Sequence, residues 1–122
     1  MYKQKIGILT ASYQPEQNTL TMTLTGSFEL AVVSQFKKVF LFDQVHPDHY
    51  LLDFHACCYI DSAVVAFLLE FCTFAKQHHA DISIINMNDD ALESFRLLNL
   101  HKFFKPEYNS ERQRVDWVYR ND

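Results

Sequence analysis

The strongest constraint on this chain is that the period of its apolar residues keeps changing. In "TLTMTLTG", Leu20, Met22 and Leu24 alternate with Thr19, Thr21, Thr23 and Thr25, the two-residue period of a half-buried strand. After Gly26 the apolar positions Val32, Val33, Phe36, Val39 and Phe40 recur at helical spacing, until the polar loop "DQVHPDH". "YLLDF" is short and apolar enough for a buried central strand, the pattern is helical again from Asp61 to about His79, and "DISIIN" reads as another buried strand. "NDDALESFRLLNL" then opens on good helix caps and places Leu92, Phe95 and Leu98 on one side. With "KIGILTASYQ" as a first strand and "PEQN" as a turn, the order is β-β-α-β-α-β-α plus a C-terminal segment. That alternation predicts an α/β fold with a mixed sheet of about four to five strands and about three to four helices packed on it. In the tail, "RVDWVYR" fits either a last strand or a helix.

The 122 residues are one domain long, and 48% hydrophobic with 15% aromatic content is ample material for one core. A net charge of -4 and 11 Lys and Arg residues without a basic block argue against a nucleic-acid partner. No segment approaches the ~18 uninterrupted apolar residues of a membrane span, and the start lacks the features of a signal peptide, so the expectation is a cytoplasmic protein without membrane insertion. Cys57, Cys58 and Cys72 are odd in number and have no CxxC spacing, which speaks against a disulfide framework or a zinc site. His46 and His49, and the pair His78 and His79, lack convergent acids. No metal or cofactor is expected, and without a glycine-rich phosphate loop, a GxSxG or a Cys-His pair nothing recommends catalysis.

The helix from Asp61 carries the informative motif. At ~100° per residue, its apolar side chains cover more than half of the circumference. One part of that arc suits the sheet. A second flank, Phe67, Phe71 and Phe74, is either buried under a neighbouring element or a surface for a partner or for self-association. Ser62 falls on the narrow polar arc with Ala66, Glu70, Thr73 and Gln77, which leaves its hydroxyl accessible. Asp61 is the natural N-cap, and capping alone is a sufficient structural account of the acid.

Three blocks in order make the chain resemble the STAS domain family, whose small stand-alone members are bacterial anti-sigma factor antagonists. "TLTMTLTGSFEL" is similar to the family's second strand with its glycine and acidic turn, here Glu29. "YLLDFHACCYIDSA" is similar to its central strand and Asp-Ser motif, and "LLNLHKFF" to the ending of its third helix. The resemblance implies one STAS-like domain over residues 1–122, divergent over 107–122, that binds proteins and is no enzyme. It implies that Ser62 is the residue a partner serine kinase phosphorylates, and that Glu29, Asp61, Ser62, Ala63 and Val64 meet the partner, an anti-sigma factor or serine kinase. Alternatives within the resemblance are an unphosphorylated interaction subunit of a larger assembly, such as a lipid-transport ABC system, and a small-molecule sensor. Val64, Ala80 and Asn99 stand where glycines are common in the family. Phosphate would add about -1.5 to -2 charge beside Asp61, enough to reverse binding at a surface fitted to a neutral hydroxyl.

Overall fold

A computed structural model describes residues 2–6, 9–42 and 46–121. The chain opens with three strands, β1 Tyr2–Ile6, β2 Leu9–Gln14 and β3 Thr19–Phe28. Helix α1 Leu30–Phe42, strand β4 His49–Ile60, helix α2 Val65–Gln77, strand β5 Asp81–Ile85 and helix α3 Asp89–Leu97 follow. Strands β6 Lys105–Asn109 and β7 Arg114–Tyr119 end it. The described strands form one sheet in the order β1-β2-β3-β4-β5-β7-β6. Only β3–β4 and β4–β5 are parallel, the two pairs joined through α1 and α2.

Among the described residues the sheet has seven strands, not four to five. "KIGILTASYQ" is not one strand: it holds the end of β1, which begins earlier at Tyr2, and the whole of β2, antiparallel to each other, with residues 7 and 8 outside the described residues. The tail supplies two more. "RVDWVYR" is a strand because its period is two: Trp117 and Tyr119 lie in register with Ile84 and Ile82, while Asp116 and Val118 point the other way.

The three described α-helices lie on one face of this sheet. Leu20, Tyr50 and Ile82 are cross-strand neighbours, as are Met22, Leu52 and Ile84, and all six are buried. Against them α2 sets Phe71 on Tyr50 (centroids 5.1 Å), and α3 sets Phe95 on Trp117 (5.1 Å). From α1, Phe36 wedges between Phe28 (5.2 Å) and Phe67 (5.3 Å). Phe67 and Phe71 are therefore interior, closed off by α1, and not the partner surface that their flank of α2 offers as one option. Phe74 is half-buried and lies on His78 (4.4 Å). The side chains of Val39 and Phe40, and residues 43–45 of the loop "DQVHPDH", lie outside the described residues.

No described helix covers the opposite face, so Thr10, Ser12, Thr21 and Thr23 populate it. "YLLDF" consequently alternates, with Tyr50, Leu52 and Phe54 buried but Leu51 and Asp53 half-buried, rather than being buried on both faces. β5 is different, since Ser83 and Ile85 are buried as well as Ile82 and Ile84. The left-handed residues at two helix ends are His79 (φ +58°) and Asn99 (φ +60°). Asn99 thus occupies a glycine-like conformation that Asn tolerates, whereas Ala80 needs no glycine and is fully buried.

On the helix-free face His49 Nε2 lies 2.8 Å from Ser83 Oγ. Burial lowers the His49 pKa below 6.5, outweighing Asp81, Glu107 and Asp116, while Arg120 lowers it further. The folded chain therefore takes up this proton less readily than the unfolded chain. The stability it confers is complete above about pH 6.5 and is lost as pH falls toward the folded value. Urea unfolding at pH 7.5 and 5.5 should show a smaller loss of stability on acidification for His49→Gln than for the wild type.

Candidate functional site at the end of the central strands

The site begins with a ladder that outruns its sheet. β4 pairs with β5 only as far as Asp53 and Ile85, but with β3 as far as Ile60 and Phe28. The last part of β4 and residues 25–28 thus project as a two-stranded ribbon. Its register shifts twice, between Thr23 and Thr25 and between Gly26 and Ser27. Gly26 is needed there for its backbone, since φ is +94° although a Cβ would meet nothing within 4 Å.

The ribbon ends by handing two chain segments to two helices. Asp61 N–H donates to the Phe28 carbonyl (2.9 Å), which sets the Glu29 turn beside the start of α2. There the Asp61 carboxylate accepts from Ala63 N–H (2.8 Å), and Val64 N–H donates to the Asp61 carbonyl (3.1 Å). Residues Ser62–Val64 form a 3-10 turn before α2 begins at Val65, so the helix proper starts later than Asp61. The turn packs against α1.

Of the five motif residues, Glu29, Ser62 and Ala63 are exposed at this end of the molecule, and Asp61 is half-buried as cap. Val64 behaves otherwise. Its side chain is fully buried, and its backbone (φ -93°, ψ -4°) is one that any residue adopts. The branched side chain fills core and does not stand over the Ser62 hydroxyl.

Two residues that the sequence pattern did not single out join the site. Leu30 is 64% exposed and Tyr59 50% exposed, both within three residues of Glu29 or Ser62. The signal was available in part: Leu30 falls off the Val32, Val33, Phe36 stripe, and Tyr59 is the neighbour of buried Ile60. Asn88 also belongs here. It caps α3 by accepting from Ala91 N–H (2.8 Å) and donates to the Cys57 carbonyl (3.1 Å), tying α3 to the ribbon.

The cysteines and histidines assemble no metal centre among the described residues, where no group of three potential ligands occurs. Cys57 is buried and Cys58 exposed, as adjacent strand residues should be. Burial pushes the Cys72 thiol up to about 12. His46 and His78, from different pairs in the sequence, stack with centroids 6.4 Å apart. No helix among the described residues is long and apolar enough to cross a membrane.

Residues 11–106 match a family model described as "Mlab, STAS domain". No protein of curated function matches the sequence significantly. Among solved structures the fold is similar to that of an antisigma-factor antagonist, STAS domain, from Rhodobacter sphaeroides, at 21% identity and a TM-score of 0.51, over 68% of this chain and 89% of that one. It is also similar to part of a protein called Mglu, at 8% identity and a TM-score of 0.52, over 72% of this chain. The chain spans about 20% of the length of Mglu. These likenesses are of fold.

Two substitutions separate the cap from the core at this site. Asp61→Ala should cost about 1 kcal/mol in urea unfolding through the lost cap. Val64→Gly should cost about 2–3 kcal/mol, because it removes a buried side chain and adds backbone freedom. A neutral Val64→Gly would contradict the packing role.

Proposed function

The chain belongs to the STAS domain family, and we propose that within it this protein is a regulator that binds its partner through the Ser62 end and is switched by phosphorylation of Ser62. The family is one of non-catalytic modules that typically bind proteins. The observation that carries the reading is the exposure of Ser62 in the capped 3-10 turn that leads into α2, with Glu29, Leu30 and Tyr59 exposed at the same end. Exposed apolar side chains beside a polar hydroxyl suit a protein surface that closes over them. The partner is a serine kinase, such as an anti-sigma factor with kinase activity, and the nucleotide belongs to that partner.

The switch needs no unfolding. A phosphate on Ser62 adds about -1.5 to -2 charge next to the Asp61 carboxylate. In the free domain the Ser62 side chain is exposed, so water accommodates it. Under a partner, an unpaired charge costs several kcal/mol, and about 1.4 kcal/mol is already tenfold in affinity. The buried Val64 supports this reading, because the site's glycine departure leaves the surface around Ser62 open.

A second reading is an interaction subunit of a larger assembly, such as a lipid-transport ABC system, in which Ser62 is never modified. Its support is that the matching family model is that of the Mlab STAS domain, whereas the antagonist likeness is one of fold. Affinity capture from native lysate with wild-type, Ser62→Ala and Ser62→Asp baits separates the two. The first reading expects a serine kinase held by wild type and Ser62→Ala, at least tenfold depleted with Ser62→Asp, and one phosphate added to wild type but not to Ser62→Ala when that kinase and ATP are supplied. Capture of a transporter ATPase, with no phosphate on Ser62, would establish the second reading instead.

A further inference from the structure

At the other end of the sheet, where β7 finishes beside the start of β5, the C-terminal hairpin builds a concavity of about 330 Å3. Its lining is Phe103, Lys105, Glu107, Val118, Tyr119 and Arg120. Glu107, Val118, Tyr119 and Arg120 lie beyond residue 106, outside the span that matches the family model, so this hollow is made mainly by the segment in which the chain departs from its family. A volume of this size sits at the lower end of small-molecule clefts.

The polar groups of the lining are not equivalent. Both oxygens of Glu107 accept from Arg120, from Nε at 3.0 Å and from Nη2 at 2.6 Å. Asp81, just behind, accepts from Arg120 Nη1 (3.2 Å) and from Asn121 N–H (3.0 Å). Each carboxylate is thereby occupied, and Arg120 is held in place with two of its five N–H donors left over. Lys105 is exposed and makes no ion pair among the described residues. Within this lining it is the cation left without a counter-charge. Beside it Phe103 keeps 45% of its surface in water, and Val118 contributes an apolar wall.

The geometry points to a binding site for a small carboxylate with a planar apolar body, its carboxylate on Lys105 and the free edge of Arg120, its ring against Phe103 and Val118. The fixed Arg120, itself balanced by Glu107 and Asp81, supplies directional donors, Lys105 a cation without an ion-pair partner of its own, and Phe103 a face on which a ring stacks. Such a ligand would sit on the hairpin, at the opposite end of the sheet from Ser62, so it binds the free chain whether or not a partner is present.

Benzoate is the probe, with benzamide, which lacks the charge, and acetate, which lacks the ring, at the same concentration and ionic strength. In a titration of isotope-labelled chain followed by amide chemical shifts, benzoate should give saturable shifts centred on residues 103–107 and 118–120, with benzamide and acetate at least about tenfold weaker. Lys105→Ala and Phe103→Ala alter exposed side chains, and each should weaken benzoate about tenfold while leaving the amide spectrum otherwise folded. Non-saturating shifts, equal binding of acetate, or benzoate affinity unchanged in both variants would overturn the assignment.

Discussion

The parallel ladder between β3 and β4 is the contact on which the rest of this molecule depends. It is the longest pairing in the sheet, and it continues to Phe28 and Ile60 after β5 has ended. Because it runs on, the starts of α1 and α2 are carried out together on one ribbon. The Asp61 N–H bond to the Phe28 carbonyl then locks Glu29 beside Ser62, two residues more than thirty positions apart in the chain. Gly26 lets the ribbon bend without ending it, since its positive φ is a conformation that L side chains rarely adopt. Asn88 fastens the third helix to the same ribbon through the Cys57 carbonyl.

The aromatic layer follows from that arrangement. Phe28, at the end of the ladder, meets Phe36, Phe54 and Phe67, and the ring contacts pass from Phe36 to Phe71 and on to Tyr50. One set of rings thereby fastens α1, α2, β3 and β4. The consequence for function is that α2 has almost no apolar surface left to offer on this flank. What it presents outward is the polar arc of Ala66, Glu70, Thr73 and Gln77, which like Ser62 of the preceding turn are all exposed. The large apolar side chains still uncovered at this end are Leu30 at the start of α1 and Tyr59 near the end of β4.

Much of this architecture is legible in the residues alone. Period-two alternation identifies β3, helical spacing identifies α1, α2 and α3, and the Asp-Ser pair identifies the start of the α2 segment, because each of these signals is local. The departures have a common cause in distant neighbours. "YLLDF" reads as doubly buried because its composition is apolar, yet the described helices settle on one face and leave Leu51 and Asp53 half-buried. "RVDWVYR" is ambiguous because seven residues with two aromatics satisfy either period. Pairing on both sides, with the edge of β5 and with β6, makes it a strand. The flank of Phe67 and Phe71 has two equally local readings, and the position of α1 decides between them.

By itself the sequence determined the alternation of strands and helices, the family, and the place of the Asp61–Ser62 turn, since periodicity, capping chemistry and motif order need no knowledge of distant neighbours. Tertiary structure decided which apolar surfaces were used up. It buried Val64 and so removed that side chain from the surface of the Ser62 turn. It also brought Glu29 to Asp61, and Lys105 and Arg120 to the lining of one hollow with Phe103 and Val118. Those outcomes rest on long-range pairing, where a hydrogen bond between remote strands sets which side chains share a surface, and no local pattern records it.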